Sequence, residues 1–95
     1  MINKQIMQTI EKEFIVDGTG RSKEETYGEI FSKLRKEAYK EIKGVVLHME
    51  PLNVYLLEEE EKNFTEKFLG LLMPKMKQEF YIKLKITVLL KIIYT

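Results

Sequence analysis

One stretch near the end of the sequence alternates apolar and polar residues almost without interruption. A period of two is typical of a β-strand that buries one face, and a shift of one residue would expose every apolar group in the stretch. Seven large apolar residues occupy successive even positions: Phe80, Ile82, Leu84, Ile86, Val88, Leu90 and Ile92. The pattern therefore predicts a strand over Lys77–Tyr94 that is central in its sheet and packs against a helix.

The sequence predicts one α-helix, which starts after Ser22 and stops at Gly44. Ser22-Lys23-Glu24-Glu25 has the form of a capping box, in which the serine hydroxyl bonds the Glu25 N–H and the Glu25 side chain reaches back. After the box, apolar residues recur at spacings of three and four, as they do on one side of a helix. These residues are Tyr27, Ile30, Phe31, Leu34, Ala38 and Ile42.

Three further strands complete the prediction. They are Ile6–Val16, which Asp17–Gly20 ends, Gly44–Glu58 and Phe64–Met73. Pro51 has no N–H to donate, so we expect its strand to lie at the sheet edge or to contain a bulge. Glu58–Glu61 is predicted to be a solvated turn, because four adjacent like charges repel one another. A second turn is predicted at Pro74–Met76.

The predicted fold class is α+β, with a single helix packed on an antiparallel sheet in the order β-α-β-β-β. A chain of 95 residues has room for one domain of ordinary size, and we assign that domain to residues 1–95. A chain of this length buries only a thin core, and self-association is a common remedy.

Charge and composition narrow the possible functions. Sixteen Lys and Arg residues oppose fifteen Asp and Glu residues, so no overall field favours nucleic acid. The sequence contains no cysteine, which excludes disulfides and thiolate chemistry. It has no apolar run of the ~20 residues that a membrane helix needs. We therefore expect a cytoplasmic protein with no membrane insertion and no nucleic-acid partner.

An apolar surface around the last two predicted strands is the candidate interface. Both faces of Phe64–Met73 carry large apolar residues, whereas a sheet with one helix should have one polar face. The candidate interface residues are Leu69, Leu71, Met73, Leu89 and Ile93. Such a patch on a small protein commonly marks an interface, so we expect a homo-oligomer, with a different protein partner or coverage by the chain's own termini as alternatives.

The turn before the helix is a candidate anion-binding site. Two glycines stand directly before a helix N-terminus, whose N–H groups favour negative charge. The residues that could hold a phosphate or a carboxylate are Gly18, Gly20, Arg21, Ser22 and Lys23. The segment matches neither a dinucleotide nor a P-loop fingerprint, and a tight turn with a capping box is the alternative interpretation.

The sequence predicts no catalytic residue, no metal site and no cofactor. His48 is the single histidine, in phase with Val46 and Glu50 on its strand, and we interpret it as a residue of the sheet surface. The acidic run lacks the spacing and the glycine of a calcium loop. No Ser-His-Asp or Cys-His arrangement can be assembled from the sequence.

Two resemblances add expectations to this interpretation. Val16-Asp17-Gly18-Thr19-Gly20 with the capping box, Met49-Glu50-Pro51 and Phe64-Thr65-Glu66-Lys67-Phe68 resemble an uncharacterised bacterial family of small proteins, classed as a domain of unknown function. The resemblance covers essentially the whole chain. It implies a bacterial cytosolic protein without an assigned activity, encoded beside predicted membrane proteins and sugar-acid catabolic enzymes. No functional residues can be carried over.

The order of a strand, Gly18-Thr19, the Ser22-x-Glu-Glu helix and antiparallel strands is also similar to dodecin. Dodecins are hollow oligomers that bind flavin by stacking it on Trp. This sequence has no Trp and one more predicted strand, so the resemblance supplies no flavin site.

Together these observations predict a non-catalytic oligomeric interaction or accessory protein, associated with a bacterial metabolic or transport gene cluster. The alternative is a protein that binds a small anionic metabolite or cofactor at the Gly18–Lys23 turn.

Overall fold

The computed structural model describes residues 3–67 and 74–95, in which one helix packs on a three-stranded antiparallel sheet. The elements are β1 (Met7–Gly20), α1 (Lys23–Glu41), β2 (Gly44–Lys67) and β3 (Pro74–Tyr94). The strand order is β1-β3-β2, so β3 is central. The predicted α+β class, with a single helix on an antiparallel sheet, is confirmed.

The central strand β3 carries the core of the protein. The seven apolar residues that alternate from Phe80 to Ile92 are all buried, as the pattern predicted. They lie on the face of the sheet that packs against α1, here called the helix face. The odd positions lie on the opposite side, here called the open face, and are partly exposed.

The helix α1 begins and ends as its sequence dictates. Ser22 is the N-cap residue, and its Oγ accepts a hydrogen bond from the Glu25 N–H at 3.1 Å. The Glu25 carboxylate accepts from the Arg21 N–H at 3.4 Å, close to the reciprocal bond of a capping box. Ile42 ends the helix, where its N–H donates to the Ala38 carbonyl. The helix buries Thr26, Ile30, Leu34 and Ala38 against the sheet.

The first turn of α1 lies very close to the end of β1. A Cβ added at Gly18 would come within 2.8 Å of Ile30 Cγ1, and one added at Gly20 within 2.8 Å of the Thr26 nitrogen. These distances are shorter than any ordinary contact, so only glycine fits between the strand and the helix. β1 accordingly continues to Gly20, four residues beyond the predicted end.

The predicted turn at Glu58–Glu61 is wrong, because β2 continues through it to Lys67. The glutamates pair in register with β3, where Glu58 lies opposite Lys83 and Glu60 opposite Tyr81. Pairing along a long hairpin outweighs the local repulsion between like charges. The predicted turn at Pro74–Met76 is also wrong, since Pro74 begins β3 opposite Lys67.

The predicted third strand therefore does not form a separate element in the described residues. Phe64–Lys67 is the end of β2, and Phe68–Met73 lies outside the described residues. The observed order is β-α-β-β, one strand fewer than predicted.

Strand β2 has both of the features that Pro51 predicted as alternatives, an edge position and a bulge. It is an edge strand, and its register against β3 shifts between Val46 and His48, between Pro51 and Asn53, and between Leu56 and Glu58. The residues left without a counterpart are Leu47, Leu52 and Leu57. At each bulge two residues of β2 oppose one residue of β3.

We expect Gly20→Ala to destabilise the fold by about 1–3 kcal/mol, the usual cost of forcing extra atoms into a packed site. The matched control is Gly28→Ala in α1, where an added Cβ meets nothing within 4 Å. That variant should be stabilised by about 0.5–1 kcal/mol, since alanine suits a helix interior better than glycine. Urea unfolding of both variants measures the difference. Equal midpoints would show that the strand and the helix are not held this close.

Candidate functional site

The large exposed apolar side chains of the described residues concentrate on β2. Elsewhere they occur singly, at Ile6, Ile15, Tyr39 and Tyr94. On β2 they form a set, here called the β2 apolar segment: Val45, Leu47, Leu52, Val54, Tyr55, Leu56 and Leu57. A concentrated apolar surface, unlike scattered apolar residues, is typical of an interaction site.

Uneven coverage of the sheet explains why part of this segment is exposed. Leu84 and Ile86 of β3 lie between the two edge strands. On the β1 side their neighbours are Val16 and Phe14, which are 4% and 5% exposed. On the β2 side their neighbours are Leu56 and Val54, which are 54% and 47% exposed. The helix α1 therefore covers β1 and β3, and it leaves the helix face of β2 open over these rungs.

The bulges keep one set of five β2 residues on the helix face. Val46 and Met49 pack against the core, and Pro51, Val54 and Leu56 lie opposite the buried residues Val88, Ile86 and Leu84. Their spacings of three, two, three and two do not fit a regular strand, in which every second residue shares a face. One extra residue at each bulge restores the match to the strict alternation of β3.

An ion pair ties the helix to the far part of β2. Lys23 Nζ lies 3.1 Å from Glu59 Oε1, on the helix face beyond Leu56. The hydrogen bond to Glu59, and then the negative charge of that carboxylate, raise the pKa of Lys23 above its ordinary value. Both side chains are partly exposed, so this pair orients the two elements more than it stabilises them.

The predicted interface residues fall into two groups. Leu89 and Ile93 lie on the open face of β3 and are half-buried, with Ile93 between Met7 and Val45 of the neighbouring strands. Leu69, Leu71 and Met73 lie outside the described residues. The interface assigned to these five residues stays a prediction.

Three polar groups of the predicted anion site have partners within the chain. Ser22 Oγ caps the helix, the Arg21 N–H donates to Glu25, and Lys23 pairs with Glu59. A cleft of about 400 Å³ lies beside the turn, and its lining includes Glu25, Glu29 and Glu79 as well as Arg21. Those carboxylates oppose the binding of an anion. Anion binding at this turn stays a prediction.

His48 does not share a face with Val46, because the first bulge separates them. Val46 packs against the core, whereas His48 lies opposite Lys91 on the open face. His48 Nε2 is 3.7 Å from Glu50 Oε2, and both side chains are more than half exposed. In residues 3–67 and 74–95, no three His, Asp or Glu side chains come together where they could hold a metal ion.

Rows of opposite charge cross the open face. Lys83 lies between Asp17 and Glu58, and Lys85 Nζ lies 3.2 Å from Glu13 Oε1. At one end a cleft of about 340 Å³ is lined by Thr19, Glu58, Glu60, Lys62, Glu79 and Tyr81. Carboxylates of both edge strands thus flank the cations of β3.

Comparison with known proteins assigns the chain to a family. The model of the family described as "Domain of unknown function (DUF4312)" matches residues 10–93. The chain belongs to this family. The matched range begins within β1, contains all of α1 and β2, and ends one residue before the end of β3.

No curated protein and no solved structure matches the chain. The likeness to dodecin therefore stays a prediction. Among the described residues, no helix combines the length and the apolar character needed to span a membrane.

Anion binding can be tested with the two arginines of the chain. If the turn binds anions, titration with inorganic phosphate in a calorimeter should release heat that Arg21→Ala removes. Arg35→Ala is the control, since Arg35 lies exposed on α1, and it should leave the heat unchanged. If phosphate gave no heat with the unmodified protein, the hypothesis of anion binding at this turn would be contradicted.

We expect Tyr81 to ionise at higher pH than an ordinary tyrosine. Its hydroxyl donates to Asp17 Oδ2 at 3.0 Å, and this bond, with partial desolvation and nearby carboxylates, raises its pKa above 10.0. The neutral phenol is thus favoured by folding. The contribution of the neutral Tyr81 phenol to the stability of the fold is complete below pH ~10. It is lost as the pH rises through the higher pKa that Tyr81 has in the folded protein.

Absorbance titration of tyrosinate measures this pKa, and Tyr81→Phe assigns the transition. Asp17→Ala should lower the Tyr81 pKa toward its ordinary value. Glu11→Ala is the control, because Glu11 lies opposite Leu89 on the same face of β1, away from Tyr81. An unchanged titration in Asp17→Ala would contradict the assignment to the hydrogen bond.

Proposed function

We propose that this protein is a non-catalytic accessory protein of the cytoplasm that acts as a homo-oligomer, assembled through the β2 apolar segment. The observation that supports the proposal is the exposure of Val54 and Leu56 beside a buried core row. The equivalent residues on the β1 side of that row are fully covered. A second copy that contacts β2 would bury part of the apolar surface that α1 leaves exposed there.

The energy of this contact would be substantial for a chain of this size. Burying one large apolar side chain stabilises by about 1.5–3 kcal/mol. The β2 apolar segment offers several such groups within thirteen residues, from Val45 to Leu57. A small domain with a thin core gains proportionately more from such an interface than a large one.

The edge of β2 also carries features that discourage pairing with arbitrary strands. Bulges, proline and charge at a sheet edge all interfere with the addition of a foreign strand. β2 has three bulges, Pro51 and the acidic residues Glu58–Glu61. An exposed apolar edge with these features suits a specific interaction rather than general aggregation.

We expect Leu56→Thr to raise the dissociation constant of the oligomer at least tenfold. One leucine lost from an interface costs about 1.5–3 kcal/mol, and 1.4 kcal/mol corresponds to a factor of ten. Analytical ultracentrifugation over a dilution series measures the constant. Threonine is β-branched, a shape that suits a strand, so we expect the variant to keep β2 intact.

The matched control is Ile15→Thr. Ile15 is 56% exposed and Leu56 is 54% exposed, and each lies on an edge strand. The control should change the dissociation constant less than twofold. A monomeric unmodified protein at high micromolar concentration would contradict the proposal, and so would equal effects of the two substitutions.

A further inference from the structure

We propose that β2 pairs antiparallel with β2 of a second copy, about a two-fold axis at the central bulge, Leu52–Asn53. The pairing joins two three-stranded sheets into one sheet of six strands. It deepens the proposed function, since it names the occupant of the β2 edge and its register. The observation that supports it is the even spacing of the three bulges along an edge strand.

The spacing of the bulges makes β2 complementary to itself. The bulges lie opposite Lys91, Thr87 and Lys83 of β3, which are four rungs apart along the ladder. A two-fold axis at the Thr87 rung places the first bulge of one copy against the third bulge of the other. The central bulge then faces itself. A straight strand has no bulge at these rungs, so it would leave β2 with mismatched hydrogen bonds.

The same register matches the two faces of the strand. Residues directly opposite in an antiparallel pair lie on the same face of the sheet. About this axis, Met49 lies opposite Leu56 of the second copy, and Pro51 lies opposite Val54 of the second copy. All four belong to the helix face. The pairing therefore forms four consecutive apolar rungs where α1 leaves the sheet uncovered.

Charge complementarity favours this antiparallel arrangement over a parallel one. In a parallel, in-register pair, the acidic run Glu58–Glu61 of each copy would meet its own equivalent, and like charges opposite each other destabilise a sheet. In the antiparallel pair the two acidic runs lie at opposite ends. Glu58 then meets the bulge that contains His48 of the second copy, and Glu61 lies opposite Gly44, next to Lys43.

Pro51 is compatible with this register. It lies beside the central bulge, where the ladder is already irregular, so its missing N–H affects only the rung that it forms with Val54 of the second copy. Registers displaced by one bulge spacing would match two bulges at most, so one bulge of each copy would lie opposite a regular rung. The symmetric register is the one that satisfies bulges, faces and charges together.

Single-cysteine variants test the arrangement cleanly, because the chain has no cysteine of its own. A disulfide needs Cα atoms about 4.4–6.8 Å apart. Leu52→Cys lies next to the axis, and we expect it to form a disulfide-linked dimer under mild oxidation. Tyr39→Cys is the control for random collision, since Tyr39 on α1 is 57% exposed, more than Leu52 at 41%. The linked fraction should be at least tenfold higher for Leu52→Cys.

A second pair of variants fixes the register. The axis places Tyr55 opposite Glu50 of the second copy, on the open face. Tyr55→Cys alone and Glu50→Cys alone should each remain unlinked. In the proposed pair, four rungs, or about 14 Å, separate each residue from the same residue of the second copy. A mixture of the two should form the linked heterodimer. Circular dichroism of each variant before oxidation verifies that the fold is kept.

The outcomes separate this arrangement from the oligomer itself. A dimer by native mass spectrometry with both expected cross-links supports the proposal. A dimer in which Tyr55→Cys links to itself indicates a parallel pair and overturns the register while keeping the oligomer. A dimer with no cross-link at Leu52 or in the mixture points to packing through another face and also overturns it. A monomer rejects the arrangement and the proposed function together.

Discussion

The strict alternation of β3 is the constraint on which the rest of the structure depends. Its even residues are buried from Phe80 to Ile92, so β3 cannot shift by one residue without exposing them all. Neighbouring strands must adjust to β3. β1 does so with a continuous register from Met7 to Gly20, whereas β2 does so with three bulges. The irregularity of β2 is thus a consequence of the regularity of β3.

Coverage of the sheet follows from the same arrangement. A single helix of 19 residues lies close to β1, because Gly18 and Gly20 allow its first turn to approach. A helix is about 10 Å wide, and strands are about 4.8 Å apart, so one helix covers two strands of a sheet. The strand left over is β2, and Val54 and Leu56 are exposed on it although they lie opposite core residues.

The sequence predicted the elements whose signals are local and missed those that depend on distant pairing. The capping box at Ser22 and the alternation of β3 are complete within a few residues, and both are confirmed. Glu58–Glu61 was predicted to be a turn because the charges are visible locally, whereas the pairing with Lys83 and Tyr81 is not. The open part of the candidate site was missed for the same reason. Its signal was the spacing of Val46, Met49, Pro51, Val54 and Leu56, which fits a strand bulged every five residues.

The bulges reconcile two requirements that would otherwise conflict. An edge strand with large exposed apolar residues invites aggregation, and irregularity protects against it. The same irregularity, repeated at equal intervals, is symmetric about its own centre at Leu52. A strand with three bulges at unequal intervals would be protected, but it could not match all three of them to the bulges of a second copy. Even spacing across the apolar rungs therefore connects the protected edge with the proposed self-interaction.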